Sequence, residues 1–383
     1  MQTKWTQILT LWLAGLGAAA QYGKISVIFD RLGAVYPDAG VALGLVVSLV
    51  GFVGIVLGVV AALLVARLRY RRTLIWALVA GAVISAYQAS LPALPWMLAS
   101  RVLEGMSHLA IVVAAPTMIA AVTAPEDRGL ALTLWGTFFG VAFTALVWLG
   151  LPIVDWLGLP ALFLAHSAYM LAFALILARI LPRIEAPVEN TSLSPAAILR
   201  RHGEIYRSPY VSAPAFGWLF YTLSFVSILT LLPPFLDDSI RTFVIGAMPL
   251  VSIASSLILG VWMLKRMTAV AVMQVGFVAS AVCAVGLAIL PGNPAVALIL
   301  AGALGLVQGA GFASVPQLNE TTELRAQANG ALAQAGNVGN TLGTPLLLIV
   351  IGIGGYPAFL LSAAAILALG YVGQAWLARR RAA

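Results

Sequence analysis

Arg101, Glu104 and His108 are the residues of this 383-residue sequence whose types and spacing most directly could do chemistry. Offsets of three and four put them within a sector of about 60° on one helix face. Arginine offers a fork of donors suited to a carboxylate-like anion. A buried carboxyl can take up a proton, and imidazole titrates near neutrality. Lys24 with Gln21 and Tyr22 forms a second polar group near the end of the first apolar stretch. In one reading, Lys24 and Arg101 make a positive pocket for an anionic substrate, with Gln21 and Tyr22 beside it. In another, Glu104 and His108 exchange a proton, and the two roles are compatible. The static alternative is a self-neutralising Arg101–Glu104 pair with Lys24 snorkelling to the interface.

These groups sit in a chain that is 62% hydrophobic and only 9% charged. Globular chains carry about 25% charged residues, so this composition cannot cover a water-soluble surface. It excludes a soluble enzyme, a secreted disulfide scaffold and a disordered chain. An ionisable side chain at the centre of a spanning helix costs about 2.5 to 3.5 kcal/mol on insertion scales, which makes each one a functional candidate. Counted from Trp96 at about 1.5 Å per residue, Arg101, Glu104 and His108 descend to about 7, 12 and 18 Å. The lone cysteine, Cys283, lies in an apolar run as a packing residue. Neither a cofactor nor a metal is expected. The expected partners are a small-molecule substrate, protons and the lipid bilayer, with no nucleic acid, for a chain that acts as a monomer.

Twelve apolar runs are long enough for a bilayer core of about 30 Å. They fall near 5–29, 41–66, 73–91, 96–121, 129–151, 158–181, 210–236, 242–264, 268–290, 294–318, 327–353 and 356–378. The first imitates a secretory signal through Lys4 and Ala18-Ala19-Ala20, but its apolar character continues to Phe29, so it reads as a span. The runs are continuous and do not alternate, which favours helices over a barrel. With the N-terminus inside, seventeen of the 21 Lys and Arg lie in inner segments, which predicts cytoplasmic termini. The +8 net charge is thus a topology signal. The longest polar break divides the chain into a six-helix half at 1–181, a cytoplasmic linker at 182–209 and a second six-helix half at 210–383. The linker holds Glu185, Pro187, Glu189 and Asn190, then Ser194-Pro195 as a helix start, with an interfacial helix over Pro195 to Tyr206 or a solvated segment as its two readings. Arg101-Val-Leu-Glu-Gly105 with Pro116 and Arg128 is loosely echoed by Leu306-Val-Gln-Gly309 with Pro316 and Arg325, which makes the fourth and tenth spans counterparts.

The second half has no charged residue from Met267 to Asn319 or from Ala326 to Ala378. Trp218, Tyr221, Gln308 and Asn337 are its candidate substrate contacts, with Gln317, Gln334 and Asn340 as further neutral groups. Interhelical hydrogen bonding and apolar packing are the alternatives for them. His166 stands alone and reads as a hydrogen-bonded residue of a packed half. Asp30, Arg31 and Asp38 fit solvent contact or a gate equally well. Gly51, Gly54 and Gly58, and Gly336, Gly339 and Gly343, predict close helix packing. Pro116, Pro249, Pro316 and Pro345 predict kinks.

Ala66-Arg-Leu-Arg-Tyr-Arg-Arg72 after the second run resembles the GxxxDRxGRR loop of the major facilitator superfamily, Arg101 to Gly105 resembles its RxxxG element, and Glu323 to Gly343 resembles the second half of bacterial members. The resemblance covers nearly the whole chain. It implies an all-α integral membrane protein with 12 transmembrane helices in two pseudo-symmetric halves. It also implies a multi-pass secondary transporter of an inner (cytoplasmic) membrane, with the first and fourth helices adjoining a central cavity. Ala62, Ala66 and Arg69 stand where the loop signature has Gly, Asp and Gly, so the loop reads as a topology signal without its charge clamp. Gly136 to Gly140 is followed by Val141, so the Pro and Gly pair of the exporter element is absent and import is favoured. The expected function is proton-coupled alternating-access transport of a small organic or inorganic anion. The alternatives are a proton-driven exporter of drugs or metabolites, and a non-transporting sensor or assembly factor on the same fold. No P-loop supports a primary pump.

Overall fold

A computed structural model of the chain describes residues 2–182 and 195–382. Each apolar run is helical over most of its length, as a backbone without water to bond to requires. The helices are α1 (Trp5–Val27), α2 (Phe29–Val35), α3 (Ala42–Ser48), α4 (Phe52–Arg67), α5 (Tyr70–Gln88), α6 (Leu94–Val122), α7 (Arg128–Gly136), α8 (Phe138–Ala145), α9 (Leu151–Leu157) and α10 (Leu159–Ile180). After α11 (Pro195–Arg207) come α12 (Ser212–Leu231), α13 (Asp238–Ser255), α14 (Val261–Leu264), α15 (Ala269–Ile289), α16 (Pro294–Leu318) and α17 (Thr322–Ala382). Among the described residues, eight helical stretches are long and apolar enough to cross a membrane.

Local chemistry explains the ends and bends. Asn293 accepts from Val296 N at 3.1 Å, with Pro294 in the first turn, and so starts α16. Thr268 starts α15 in the same way. A 3-10 turn at Leu49–Gly51 joins α3 to α4, and π turns at Leu146–Gly150 and Ser256–Gly260 join α8 to α9 and α13 to α14. Pro116, Pro249, Pro316 and Pro345 all lie inside continuing helices. Gly355, with a φ of 65°, divides α17 shortly before Pro357. The helix expected from Pro195 forms as α11, while the proposed Ser194 cap and Glu185 to Asn190 lie outside the described residues.

Helix α1 packs against α6, α8 and α10, and α12 packs against α17. One apolar cluster fills the space between α1, α5, α6 and α10. A larger one joins helices from both sides of α11. Four hydrogen bonds link α1–α10 to α12–α17 among the described residues. Ser26 meets Thr230, Thr144 Oγ1 donates to Gly246 O at 2.8 Å, Trp148 Nε1 to Thr242 O at 3.2 Å, and Gln334 Nε2 to Ile55 O at 2.9 Å. The first three are toward the bundle end remote from the chain termini, and Gln334 meets α4 in its first turn. The expected small-residue packing is present: a Cβ at Gly51, Gly54 or Gly58 would run into Thr341, Asn337 or Gln334 of α17.

Gly105 lets α6 approach the backbone of Val50 so closely that any Cβ would overlap its carbonyl oxygen. Gly105→Val should therefore destabilise the protein by about 1 to 3 kcal/mol, read as a lower thermal midpoint in detergent. Gly136→Ala, at a site with nothing within 4 Å, should leave it unchanged; equal midpoints for the two variants would contradict this packing.

Candidate functional site

The polar residues of the first, third, fourth and sixth apolar runs converge on one carboxylate. Lys24 of α1, Arg101 and Glu104 of α6 are all 0% exposed. Lys24 Nζ donates to Glu104 Oε1 at 2.6 Å, to Ser85 Oγ of α5 at 3.0 Å, and lies 3.2 Å from His166 Nδ1 of α10. An ammonium has three N–H groups, so this shell is full. Ser85 Oγ in turn donates to Phe163 O at 3.0 Å. His166 Nε2 is 2.9 Å from Gly17 O, which only a protonated Nε2 can satisfy, so Nδ1 is left as the acceptor for Lys24.

The other carboxylate oxygen, Glu104 Oε2, accepts from Gln88 Nε2 at 2.9 Å and from Arg101 Nη1. Arg101 also reaches across to neighbouring helices. Its Nε donates to Val46 O at 2.7 Å, and its Nη2 to Gln21 O at 2.6 Å, with a longer contact to Val47 O at 3.5 Å. Four of the five guanidinium N–H groups thereby have acceptors. The cluster ties together α1, α3, α5, α6 and α10. Two cations face one anion away from water, and such an arrangement stands only while each group keeps its partners.

Lys24 pairs with Glu104 and does not snorkel, which removes that part of the static alternative. His108 shares the face of Glu104, yet its Nδ1 meets Ala18 O at 2.9 Å and its ring stands edge-on to Tyr22, centroids 5.1 Å apart. The imidazole that joins the cluster is His166, which is hydrogen-bonded within a packed half as expected but with Lys24 among its partners. Ser85 and Gln88 were not foreseen. Their signal is the one that marked Glu104, polar side chains three residues apart inside an apolar run. Gln21 Nε2 donates to Ser107 Oγ at 2.9 Å, on the side of the cluster facing α5 and α6.

Tyr22 leads from the cluster to the junction with α17. Its hydroxyl, the Thr341 hydroxyl and the Asn337 carbonyl crowd the space beside Gly51. The buried oxygens of Tyr22, Ser48 and Thr341 have no hydrogen-bond partner among the described residues. The candidates of α12–α17 divide into two places. Trp218 packs on Tyr221 and Phe312 with centroids 4.8 and 4.7 Å apart, which makes an aromatic surface. Gln308 faces Ser252 of α13 at 3.5 Å, and Asn337 bonds back to Ala333 O at 2.8 Å while meeting Gly54. No hydrogen bond joins these four side chains to the Lys24 cluster among the described residues. Arg31 pairs with Asp155 at 2.6 Å on the surface.

The sequence profile described as Major Facilitator Superfamily matches residues 9–322. No curated protein sequence matches significantly. The fold resembles a bacterial homolog of the human lysosomal transporter Spinster in an inward-facing, unoccupied conformation, at 14% identity and a TM-score of 0.76, covering 98% of this chain and 96% of that one. It also resembles the human organic anion transporter MFSD10, at 17% identity and a TM-score of 0.70 over 96% and 98% of the two chains. A third is the E. coli fucose:proton symporter, at 15% identity and a TM-score of 0.66 over 97% of each. At these identities the likeness is one of fold.

The charge count orders three variants. Lys24→Met leaves Arg101 matched by Glu104, whereas Glu104→Gln leaves two buried cations unmatched. Glu104→Gln should lose about 3 to 5 kcal/mol, Lys24→Met less, and adding Lys24→Met to Glu104→Gln should raise the thermal midpoint again. A Glu104→Gln variant as stable as Lys24→Met would contradict the arrangement.

Proposed function

The chain belongs to the major facilitator superfamily and is a membrane transporter, not an enzyme; on that premise we propose that it is a secondary transporter coupling a proton to a small organic or inorganic anion. The carrying observation is that Glu104 is the shared counter-ion of two fully buried cations. Protonating Glu104 alone would strand Lys24 and Arg101, and an anionic solute would relieve that by replacing the lost charge. Proton and anion therefore favour each other's binding, a coupling reciprocal between the two ligands. The same exchange frees donors that are otherwise occupied.

Twelve spans follow if α3–α4, α7–α9 and α13–α14 each count as one bent crossing and α17 as two, divided six and six around α11. Arg and Lys placement supports cytoplasmic termini in an inner membrane. In that orientation the contacts at Ser26, Thr144 and Trp148 seal the outer end, and the solute enters from outside once they part. The α4–α17 seam at Gly51, Gly54 and Gly58 then serves as the sliding surface. Tyr22, Ser48 and Thr341 offer polar contacts along the route to Arg101, with Gln21 behind them. His166 and His108 flank the carboxylate as the imidazoles nearest to a proton path. Trp218, Tyr221, Gln308 and Asn337 form the opposing wall, and the transporter works as a monomer. The aromatic surface at Trp218 and Phe312 favours a second reading, export of an amphipathic drug or metabolite.

Uptake into proteoliposomes of a panel of anions and amphipathic cations, with and without a pH gradient, separates these readings. An anion should accumulate when the outside is acidic. Glu104→Gln, assayed below its melting temperature, should lose that accumulation and keep counterflow exchange, while Lys24→Ala and Arg101→Ala weaken anion binding. Full accumulation in Glu104→Gln would sink the coupling role of Glu104, and flux of cations alone would sink the anion assignment.

A further inference from the structure

Outside the bundle a groove of about 590 Å³ runs between α5 and α6. Its wall is apolar, with Trp76, Leu103 and Met106 each more than half exposed and Ala80, Ile84 and Ala110 beside them. Its mouth is basic: Arg69 and Arg72 line the end at which α5 begins. The nearby Arg71 is occupied, donating to the carbonyls of Leu181 and Ala178. The Arg69 carbonyl accepts from Thr73, but neither the Arg69 nor the Arg72 guanidinium has a hydrogen bond or ion pair among the described residues, and both residues are exposed. The loop carries Ala66 where the resembled signature has an acid, so it brings no counter-charge of its own.

We infer that this groove binds an anionic phospholipid of the leaflet facing the α4–α5 loop, with its phosphate at Arg69 and Arg72 and one acyl chain along Trp76 toward Ile84. The length fits. From Arg72 to Ile84 the helix rises about 18 Å, close to the half-thickness of about 15 Å for a hydrocarbon core. The charge fits as well, since basic pockets between spanning helices on the cytoplasmic side suit anionic headgroups. Arginine can hold a phosphate with two parallel hydrogen bonds. Arg69 sits at a φ of 68°, a conformation more natural to glycine, so a bulky basic residue stands where a smaller one would be less strained. The lipid would supply the anion that the loop lacks and hold the start of α5 against the end of α10 through Arg71.

Trp76 reports on the groove directly. In vesicles holding the full chain, its emission is the difference between the native protein and Trp76→Phe. Brominated phosphatidylglycerol should quench it more strongly than brominated phosphatidylcholine at equal mole fraction, with enrichment on the order of fivefold per arginine. In Arg69→Gly with Arg72→Gln the two lipids should quench alike. Glycine accepts the Arg69 backbone conformation, and neither arginine belongs to the buried cluster. Transport failure alone does not affect this readout. Equal quenching by the two lipids in the native protein would overturn the site, as would a preference that survives in the double variant. Absence of quenching by either lipid would overturn it too, since protein, such as a second copy of the chain, would then cover the groove.

Discussion

A carboxylate held between two cations in a low-dielectric interior cannot change its charge alone. Glu104 is in that position, bonded to Lys24 through one oxygen and to Arg101 and Gln88 through the other. The cations in turn depend on carbonyls and hydroxyls of neighbouring helices, so the constraint spreads. Helix α3 must present Val46 O, α1 must present Gln21 O, and α10 must bring His166 to Lys24. Five helices are thus oriented by one ion cluster, in a membrane where apolar packing gives little guidance about rotation.

The same network separates what is fixed from what can move. Within α1–α10 the bonds are numerous and buried. Across to α12–α17 they are few, and the remaining contact is apolar packing together with glycine against polar side chains at α4 and α17. Such a seam allows close approach without interlocking. Arg101 therefore lies at a useful place: its own bonds hold α3 and α1, and Tyr22 beside it reaches the seam at Thr341. Arg101 thus links Glu104 to α3, which is continuous through a 3-10 turn with the helix at the seam.

Much of this was legible in the sequence. Continuous apolar runs announced the helices, and the i, i+3 spacing of Arg101 and Glu104 put both on one face. The runs 327–353 and 356–378 divided the last long helix, and the structure puts the break between them at Gly355. The partners were harder to read, because which lone polar residue meets which depends on tertiary packing that local spacing does not carry. Ser85, Gln88 and His166 gave only weak signals of this kind, while Lys24 had two plausible destinations until α1 was seen between α6 and α10. The four prolines lie inside helices that continue through them, as a bundle allows when neighbours satisfy the carbonyls that proline leaves free.

The central claim is that a proton on Glu104 and an anion beside Lys24 and Arg101 bind together, and proton uptake on binding tests it most directly. Purified protein in weakly buffered detergent is mixed with the anion that shows flux, and the pH change is followed with an indicator dye. One proton should be taken up per anion bound in the native protein, and none in Glu104→Gln. Anion binding without proton uptake in the native protein, or with undiminished uptake in the variant, would contradict the account.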